Sequence, residues 1–283
     1  MKIDGKAIAS QLFQNLTKRV KRLQQKSITP QLAIILVGDD PASVSYVTRK
    51  KKKAEEIETK ATIFKYALTI TTQELLKEIE QLNNDTRVHG IIVQRPLPKH
   101  IDSEKVNQAV LSSKDVDAFH PATSFAMPLA KAAMLLLEHV YNQSKKDYVK
   151  TTFLPWLKTK KIVVMGKGET GGKPIIELLK KKGILPIIID RSVTNQAKIT
   201  KTVDIIICAV GKEKIISKNM IKKGVILISV GQHKETDEKF HGDYEEEDIQ
   251  KKASWYSPTP GGVGPVNVAC LLENLLVAAE KTT

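Results

Sequence analysis

Aromatic residues are scarce in this sequence, at 5% of 283 positions, and cysteine is scarcer still, with two. Cys208 and Cys270 both sit in apolar runs and are too few for a disulfide framework or a zinc site. They predict core thiols in a reducing compartment, the cytoplasm, and no metal site. No apolar run reaches the roughly 20 residues that span a bilayer, and residues 1–10 lack a signal-peptide pattern. No membrane association is expected. Negative charge is the third shortage. Asp and Glu number 31 against 45 Lys and Arg, a formal charge of +14.

Such a balance attracts polyanions, and charge alone does not separate a nucleic acid from an anionic small molecule. The lysines are spread over many predicted helices, and no recognised nucleic-acid motif is present. A hydrophobic content of 41% is enough for a real core in one large or two modest domains.

The first half of the chain alternates helix and strand. Ile3, Ala7, Ile8, Leu12, Leu16, Val20 and Leu23 recur at helical spacing over residues 4–24, with Asp4 as a candidate cap. Residues 32–37 read as a buried strand, and a turn at Gly38-Asp39-Asp40-Pro41 leads into a helix. On that helix Tyr46 and Lys50 are four apart and share a face. A ring, a phenol and an amine together suit acid–base work where the amine is partly desolvated. The plain alternative is a solvated basic face over Arg49 to Lys53. A strand at 62–68, a helix at 71–84 with Thr71 and Glu74 spaced as a capping box, and a strand at 90–94 follow. This order predicts a parallel sheet, with ligands beyond the carboxyl ends of its strands. Gln94 stands at one such end. The loop Lys114-Asp115-Val116-Asp117 then offers two acids on alternate residues, suited to an amino-heterocycle or to capping a turn. His120, beside Pro121, is read as structural.

A helix at 127–141 links the halves, and residues 142–159 read as a polar, lysine-rich excursion. A strand at 161–165 runs into Gly166-Lys167-Gly168-Glu169-Thr170-Gly171, and a helix follows at 174–182. In that context G-x-G-x-x-G marks a dinucleotide site, with the pyrophosphate on the helix N-terminus. The next strand, 185–189, ends in Asp190, where an acid contacts an adenosine ribose. Strands at 204–210 and 225–230 are followed by Gly211 and Gly231, which admit close approach of a cofactor or simply make turns. Gly242-Asp243 falls in an acidic stretch expected to be exposed. The loop Ser257-Pro258-Thr259-Pro260-Gly261-Gly262-Val263-Gly264-Pro265 opens a last helix at 266–279.

Four ordered segments resemble one family. They are Tyr46-x-x-x-Lys50-x-Lys52-x-Ala54, Val93-Gln94-x-Pro96-Leu97-Pro98, Lys114-Asp115-Val116-Asp117, and Pro260-Gly261-Gly262-Val263-Gly264-Pro265 with Leu271-Leu272-Glu273-Asn274. They resemble the bifunctional methylenetetrahydrofolate dehydrogenase/methenyltetrahydrofolate cyclohydrolase family of one-carbon metabolism. The resemblance implies an α/β fold of two domains around a cleft. An N-terminal folate domain takes residues 1–125 and 265–283, and a Rossmann-like NAD(P)-binding domain takes 126–264. It implies Lys50 as the acid–base group of hydrolysis, Tyr46 stacked on the folate, Gln94 bonded to Lys50, and Asp117 gripping the pterin. Pro260, Gly261, Gly262 and Val263 would line the junction of folate and nicotinamide. Gly166, Lys167, Gly168, Gly171, Asp190, Arg191, Ser192, Gly211 and Gly231 would hold the dinucleotide. Tetrahydrofolate derivatives rather than nucleic acid are the implied partners, and a homodimer is expected.

The chain departs from the family pattern at several places. Lys167 stands for the usual Arg, Arg95 for Leu, Ala118 for Gly and Asn267 for Thr, and Ala126-Met127-Pro128-Leu129 replaces a P-C-T-P stretch. Arg191 and Ser192 suit the 2′-phosphate of NADP, the expected cofactor, whereas Asp190 suits the ribose hydroxyl of NAD, the alternative.

Overall fold

The computed structural model describes residues 1–144, 152–234 and 240–282. The chain forms two compact units, Gln11–Pro128 with Val268–Thr283, and Met1–Ser10 with Leu129–Asn267.

Helix α1 (Gly5–Gln25), which belongs to the first of these from Gln11 onward, is capped by Asp4, whose carboxylate accepts from the Ala7 N–H at 3.0 Å. Strand β1 (Gln31–Val37) leads to helix α2 (Pro41–Glu56), then β2 (Lys60–Tyr66), α3 (Thr72–Asn84), β3 (Gly90–Val93) and α4 (Ser103–Ala109). Thr71 and Glu74 form the expected capping box on α3. The strands pair in parallel in the order β2-β1-β3. Strand β1 is buried on both faces. Leu32, Ile34 and Leu36 pack with Leu16, Val20, Val47 and Leu272, while Ala33, Ile35 and Val37 pack with Leu75, Ile79 and Val106. A continuous apolar run, without alternation, is what a covered parallel strand requires.

The other unit holds helix α5 (Pro128–Ser144), α6 (Phe153–Lys158), β4 (Ile162–Met165), α7 (Gly172–Lys181), β5 (Ile187–Ile189), α8 (Gln196–Thr200), β6 (Ile205–Cys208) and β7 (Ile226–Ser229). The antiparallel pair β8 (His233–Lys234) and β9 (Phe240–His241) follows, then α9 (Glu246–Ile249) and β10 (Trp255–Tyr256). Its sheet is parallel in the order β10-β7-β6-β4-β5. The first residues extend it, since Ile3 donates to the Tyr256 carbonyl at 2.8 Å and Tyr256 to that of Met1 at 3.0 Å. Of the expected excursion at 142–159, residues 145–151 lie outside those described, and Phe153–Lys158 is helical.

The last helix, α10 (Val263–Glu280), runs from one unit into the other by residue. By length and composition alone it could cross a membrane, but most of it is buried in the protein, as a core helix is. Leu271, Leu272, Leu275 and Leu276 are each at most 1% exposed. Each such leucine contributes about 1.5–3 kcal/mol of apolar burial.

Candidate active site

Helix α2 starts where the sequence dictates. Pro41 occupies its first turn, and the Asp40 carboxylate accepts from the Ser43 N–H at 2.8 Å. Ser43, Val47, Lys50 and Ala54 form its buried stripe at spacings of four, three and four. Lys50 is therefore a core-facing residue, 8% exposed, within a helix whose neighbouring lysines face solvent. The basic run is a solvated face everywhere except at this position.

Two elements meet the Lys50 amine. At the end of β3, Gln94 is fixed by its own N–H, which donates to the Ile35 carbonyl at 2.9 Å. Its Oε1 accepts from Lys50 Nζ at 3.2 Å, and its Nε2 donates to the Arg95 carbonyl at 2.6 Å. The two bonds together leave one orientation for the amide. From the loop after α4, Asp117 Oδ2 approaches Lys50 Nζ to 4.0 Å. Tyr46, one turn before Lys50, is half-buried with the Arg49 guanidinium 5.6 Å from its ring centre. Burial pushes its phenol up, and the Arg49 charge opposes that shift.

The Asp117 loop is anchored by four side chains. Lys114 donates to the carbonyls of Leu82, Asn83 and Asp85 at 2.7–3.2 Å, so it caps the end of α3 and takes no part in the amine's surroundings. Asp115 is buried and accepts from the N–H groups of Ala118 at 3.1 Å and His120 at 2.6 Å. Desolvation, opposed by these bonds and aided by the Asp117 charge, raises its carboxyl to about 6. His120 Nδ1 accepts from the Ala122 N–H at 3.0 Å, a turn-forming bond. Asn274 on α10 donates to the carbonyls of Val116 at 2.9 Å and Ala126 at 3.0 Å. Ala118 adopts φ 64°, the left-handed region that favours glycine. A cavity of about 10 Å³ lies between Arg95, Asn107, Asp115, Asp117 and Phe119. A larger one, about 860 Å³, opens at the amino ends of β1 and β3 around Gln31, Lys60 and His89, and no predicted site residue lines it.

In the other unit, β4 delivers Gly166 (φ 89°) into a turn that α7 closes. A Cβ on Gly172 would come 1.9 Å from the Gly166 carbonyl, so only glycine lets the helix start against the turn. Nothing lies within 4 Å of the Cβ position of Gly168, leaving its outer side open to a ligand. The Lys173 and Gly171 N–H groups both donate to the Gly168 carbonyl at 3.1 Å. This turn fits a pyrophosphate on the N-terminus of α7. Beyond β5, Lys167 Nζ is 2.6 Å from Asp190 Oδ2, and Ser192 donates to Oδ1 from its N–H at 2.9 Å and its hydroxyl at 2.6 Å. The Lys167 amine and the Ser192 bonds hold the Asp190 carboxyl well below the usual range. Arg191 beside it is exposed.

Sequence profiles of two domains match this chain. The tetrahydrofolate dehydrogenase/cyclohydrolase catalytic domain covers residues 3–117, and its NAD(P)-binding domain covers residues 150–283. The chain belongs to the tetrahydrofolate dehydrogenase/cyclohydrolase family. The "Bifunctional protein FolD" of Nautilia profundicola is 38% identical over 284 residues, spanning 99% of this chain and 97% of that protein. The crystal structure of the bifunctional enzyme FolD-methylenetetrahydrofolate dehydrogenase/cyclohydrolase from Campylobacter jejuni superposes with a TM-score of 0.91 at 34% identity, covering 100% of this chain and 99% of that one. The Trypanosoma brucei methylenetetrahydrofolate dehydrogenase-cyclohydrolase, solved with NADP and an inhibitor, gives 0.88 at 27% identity, covering 100% and 98%.

Within this family fold, the structure brings Lys50, Gln94 and Asp117 together in one unit and the glycine turn, Lys167, Asp190 and Ser192 together in the other. Pro260, Gly261, Gly262 and Val263 belong with the dinucleotide unit, where Gly5 lies against the Gly261 and Gly262 carbonyls. One expectation fails plainly. Asp243 is not exposed; it has no accessible surface and accepts from the N–H groups of Gly211 at 2.8 Å and Gly231 at 3.0 Å. Asp243, Asn274 and Gly5 are the residues that reading the sequence missed. For Asn274 a signal existed, in the Leu-Leu-Glu-Asn segment that carried the resemblance.

Proposed function

We propose that this protein oxidises 5,10-methylenetetrahydrofolate to 5,10-methenyltetrahydrofolate with NADP, and then hydrolyses that product to 10-formyltetrahydrofolate. The observation that carries the proposal is the nearly buried Lys50 amine held between Gln94 and Asp117. NADP, when bound, supplies the hydride acceptor. In hydrolysis, Lys50 takes a proton from the water that adds to the methenyl carbon and returns one to the nitrogen released as the ring opens. Gln94 orients that amine. Asp117 accepts hydrogen bonds from the pterin's amino and ring nitrogens, and Tyr46 stacks on the ring. Pro260, Gly261, Gly262 and Val263 contribute to holding the folate. Gly166, Gly168 and Gly171 admit the pyrophosphate, Gly211 and Gly231 the far half of the dinucleotide, and Lys167, Arg191 and Ser192 the 2′-phosphate.

Functionally, residues 1–125 with 265–283 serve the folate and residues 126–264 the dinucleotide, although residues 1–10 pack with the latter. The molecule is a homodimer joined along β5. That strand is the edge of its sheet and exposes Ile187 at 41% and Ile188 at 37%, with Leu185 just ahead of it at 84%. Cys208 and Cys270, both buried and neither in a disulfide, suit a reducing cytoplasm.

The test supplies methylenetetrahydrofolate with NADP or NAD and follows methenyl hydrolysis separately. Turnover in both steps is expected, faster with NADP. The engagement of Lys167 by Asp190 favours one rival, a cyclohydrolase with little dehydrogenase activity. Hydrolysis without reduction of either cofactor would establish that rival.

A further inference from the structure

Asp243 is a carboxylate with no exposed surface. Its oxygens accept from Gly211 N–H at 2.8 Å, Gly231 N–H at 3.0 Å and the Ser229 hydroxyl at 3.0 Å, and its own N–H donates back to Ser229 Oγ at 3.0 Å. Burial pushes its carboxyl up against the pull of these donors. An apolar residue would fill this space at lower desolvation cost, so the carboxylate stands here for its hydrogen bonds.

Those bonds join two particular turns. Gly211 follows β6 and Gly231 follows β7, and the turns touch. A Cβ on Gly231 would lie 2.2 Å from the Gly211 nitrogen and 2.5 Å from Asp243 Oδ1. The flanking residues extend the brace. A Cβ on Gly242 would lie 2.7 Å from Thr259 Oγ1, and the Tyr244 hydroxyl donates to the Ser257 carbonyl at 2.7 Å. Residues 242–244 thus fix three loops of one unit, the third leading into Pro260.

The topology says which part of a dinucleotide these loops meet. Strands β4 and β5 carry the glycine turn and Asp190, while β6 and β7 lie on the other side of β4. A dinucleotide straddles the point where strand order reverses, one nucleotide to each side. The adenosine half falls to β4 and β5. The other half falls over the ends of β6 and β7.

We propose that Asp243 is the positioning residue for the nicotinamide half of the cofactor site, acting through the Gly211 and Gly231 turns. The proposal rests on the dinucleotide reading of this unit. Asp243, with no accessible surface, acts through backbone.

The experiment is isothermal titration of the full chain with NADP⁺ and with 2′,5′-ADP, a fragment that lacks the nicotinamide half. In Asp243→Asn the amide nitrogen faces an N–H donor, so one bond is lost without loss of volume. NADP⁺ affinity is expected to fall about tenfold, the effect of one such bond, while 2′,5′-ADP binding stays within about twofold. Equal losses for both ligands would mean a merely structural residue, and unchanged NADP⁺ affinity would also overturn the proposal. Should Asp243→Asn fail to fold, Ser229→Ala removes one donor to the same carboxylate. A smaller loss confined to NADP⁺ is expected there, and equal or absent effects would overturn the proposal. A wild-type chain that binds neither ligand would instead remove the dinucleotide reading itself.

Discussion

Lys50 Nζ donates to Gln94 Oε1 across 3.2 Å, and the same glutamine is locked from behind by its bond to the Arg95 carbonyl. The amine is therefore held in place from a strand end while its own helix packs around its stem. Replacing Lys50 by Met keeps the stem and removes the amine. Hydrolysis of methenyltetrahydrofolate should fall by at least about a thousandfold, within the range of acid–base contributions, with the circular dichroism spectrum unchanged. The plain alternative of a solvated basic face fails at Lys50, which is buried, so the fold has to tolerate the loss of a core-facing amine. Met keeps the apolar stem packed, and the partners it leaves behind, Gln94 and Asp117, are both partly exposed and regain hydrogen bonds from water. Hydrolysis at the wild-type rate would remove Lys50 from its role.

Asp115 gives the fold a pH dependence with a definite sign. Its carboxyl is raised to about 6 by burial, so the folded protein keeps a proton that the unfolded chain releases near pH 4. That contribution is present at low pH and is lost as pH rises through about 6. For Asp115→Asn, the slope of unfolding free energy between pH 4 and 6.5 should change by an integrated amount on the order of 2 kcal/mol. Urea titrations at several pH values measure it. An identical slope in both proteins would contradict the assignment.

Asn274 and Ala118 act on one loop in opposite directions. Asn274→Ala would strand the Val116 and Ala126 carbonyls in the core and cost about 1–3 kcal/mol. The folate KM should rise as the Asp117 loop loosens. Ala118→Gly relieves a left-handed alanine and should stabilise the protein by about 1 kcal/mol. Thermal melts of the two variants should shift in opposite senses. A shift in the same sense would separate the loop from both effects.

Asp190 is engaged on both oxygens, by Lys167 and by Ser192. Asp190→Asn loses the ion pair, frees the Lys167 amine and removes a charge that repels a 2′-phosphate. The ratio of NADP to NAD efficiency should rise about tenfold, as expected for one exposed charge near a phosphate. Steady-state kinetics with both cofactors read this directly, and a ratio that falls would mean that Asp190 serves the 2′-phosphate indirectly, by holding Lys167 and Ser192 in place.

What the sequence revealed was local. The capping box on Thr71 and Glu74, the strand ending at Gln94 and the glycine turn at Gly166 all depend on residues a few places apart, and all are present. What stayed hidden depends on partners far along the chain. Asp243 is followed by Glu245, Glu246 and Glu247 and reads as surface, but its donor at Gly211 is 32 residues away. Asn274 reaches Val116 over a separation of 158. Lys50 is an intermediate case. Its burial was legible in the stripe it shares with Val47 and Ala54, but the basic run around it pointed to solvent. Helix α4 was missed because only Val106 of its seven residues is buried, too little for a periodic apolar face.

The alternation of the chain between its two units sets an order of assembly. The core around β1 needs Leu271, Leu272, Leu275 and Leu276, which come more than 200 residues after β1 itself. During synthesis, strands β1 to β3 leave the ribosome early and wait with one apolar face uncovered, while the intervening dinucleotide sheet is made in one stretch. The part of the protein translated first is thus finished last. A nascent chain halted before residue 268 would present that open face to chaperones, and the same chain extended through α10 would not.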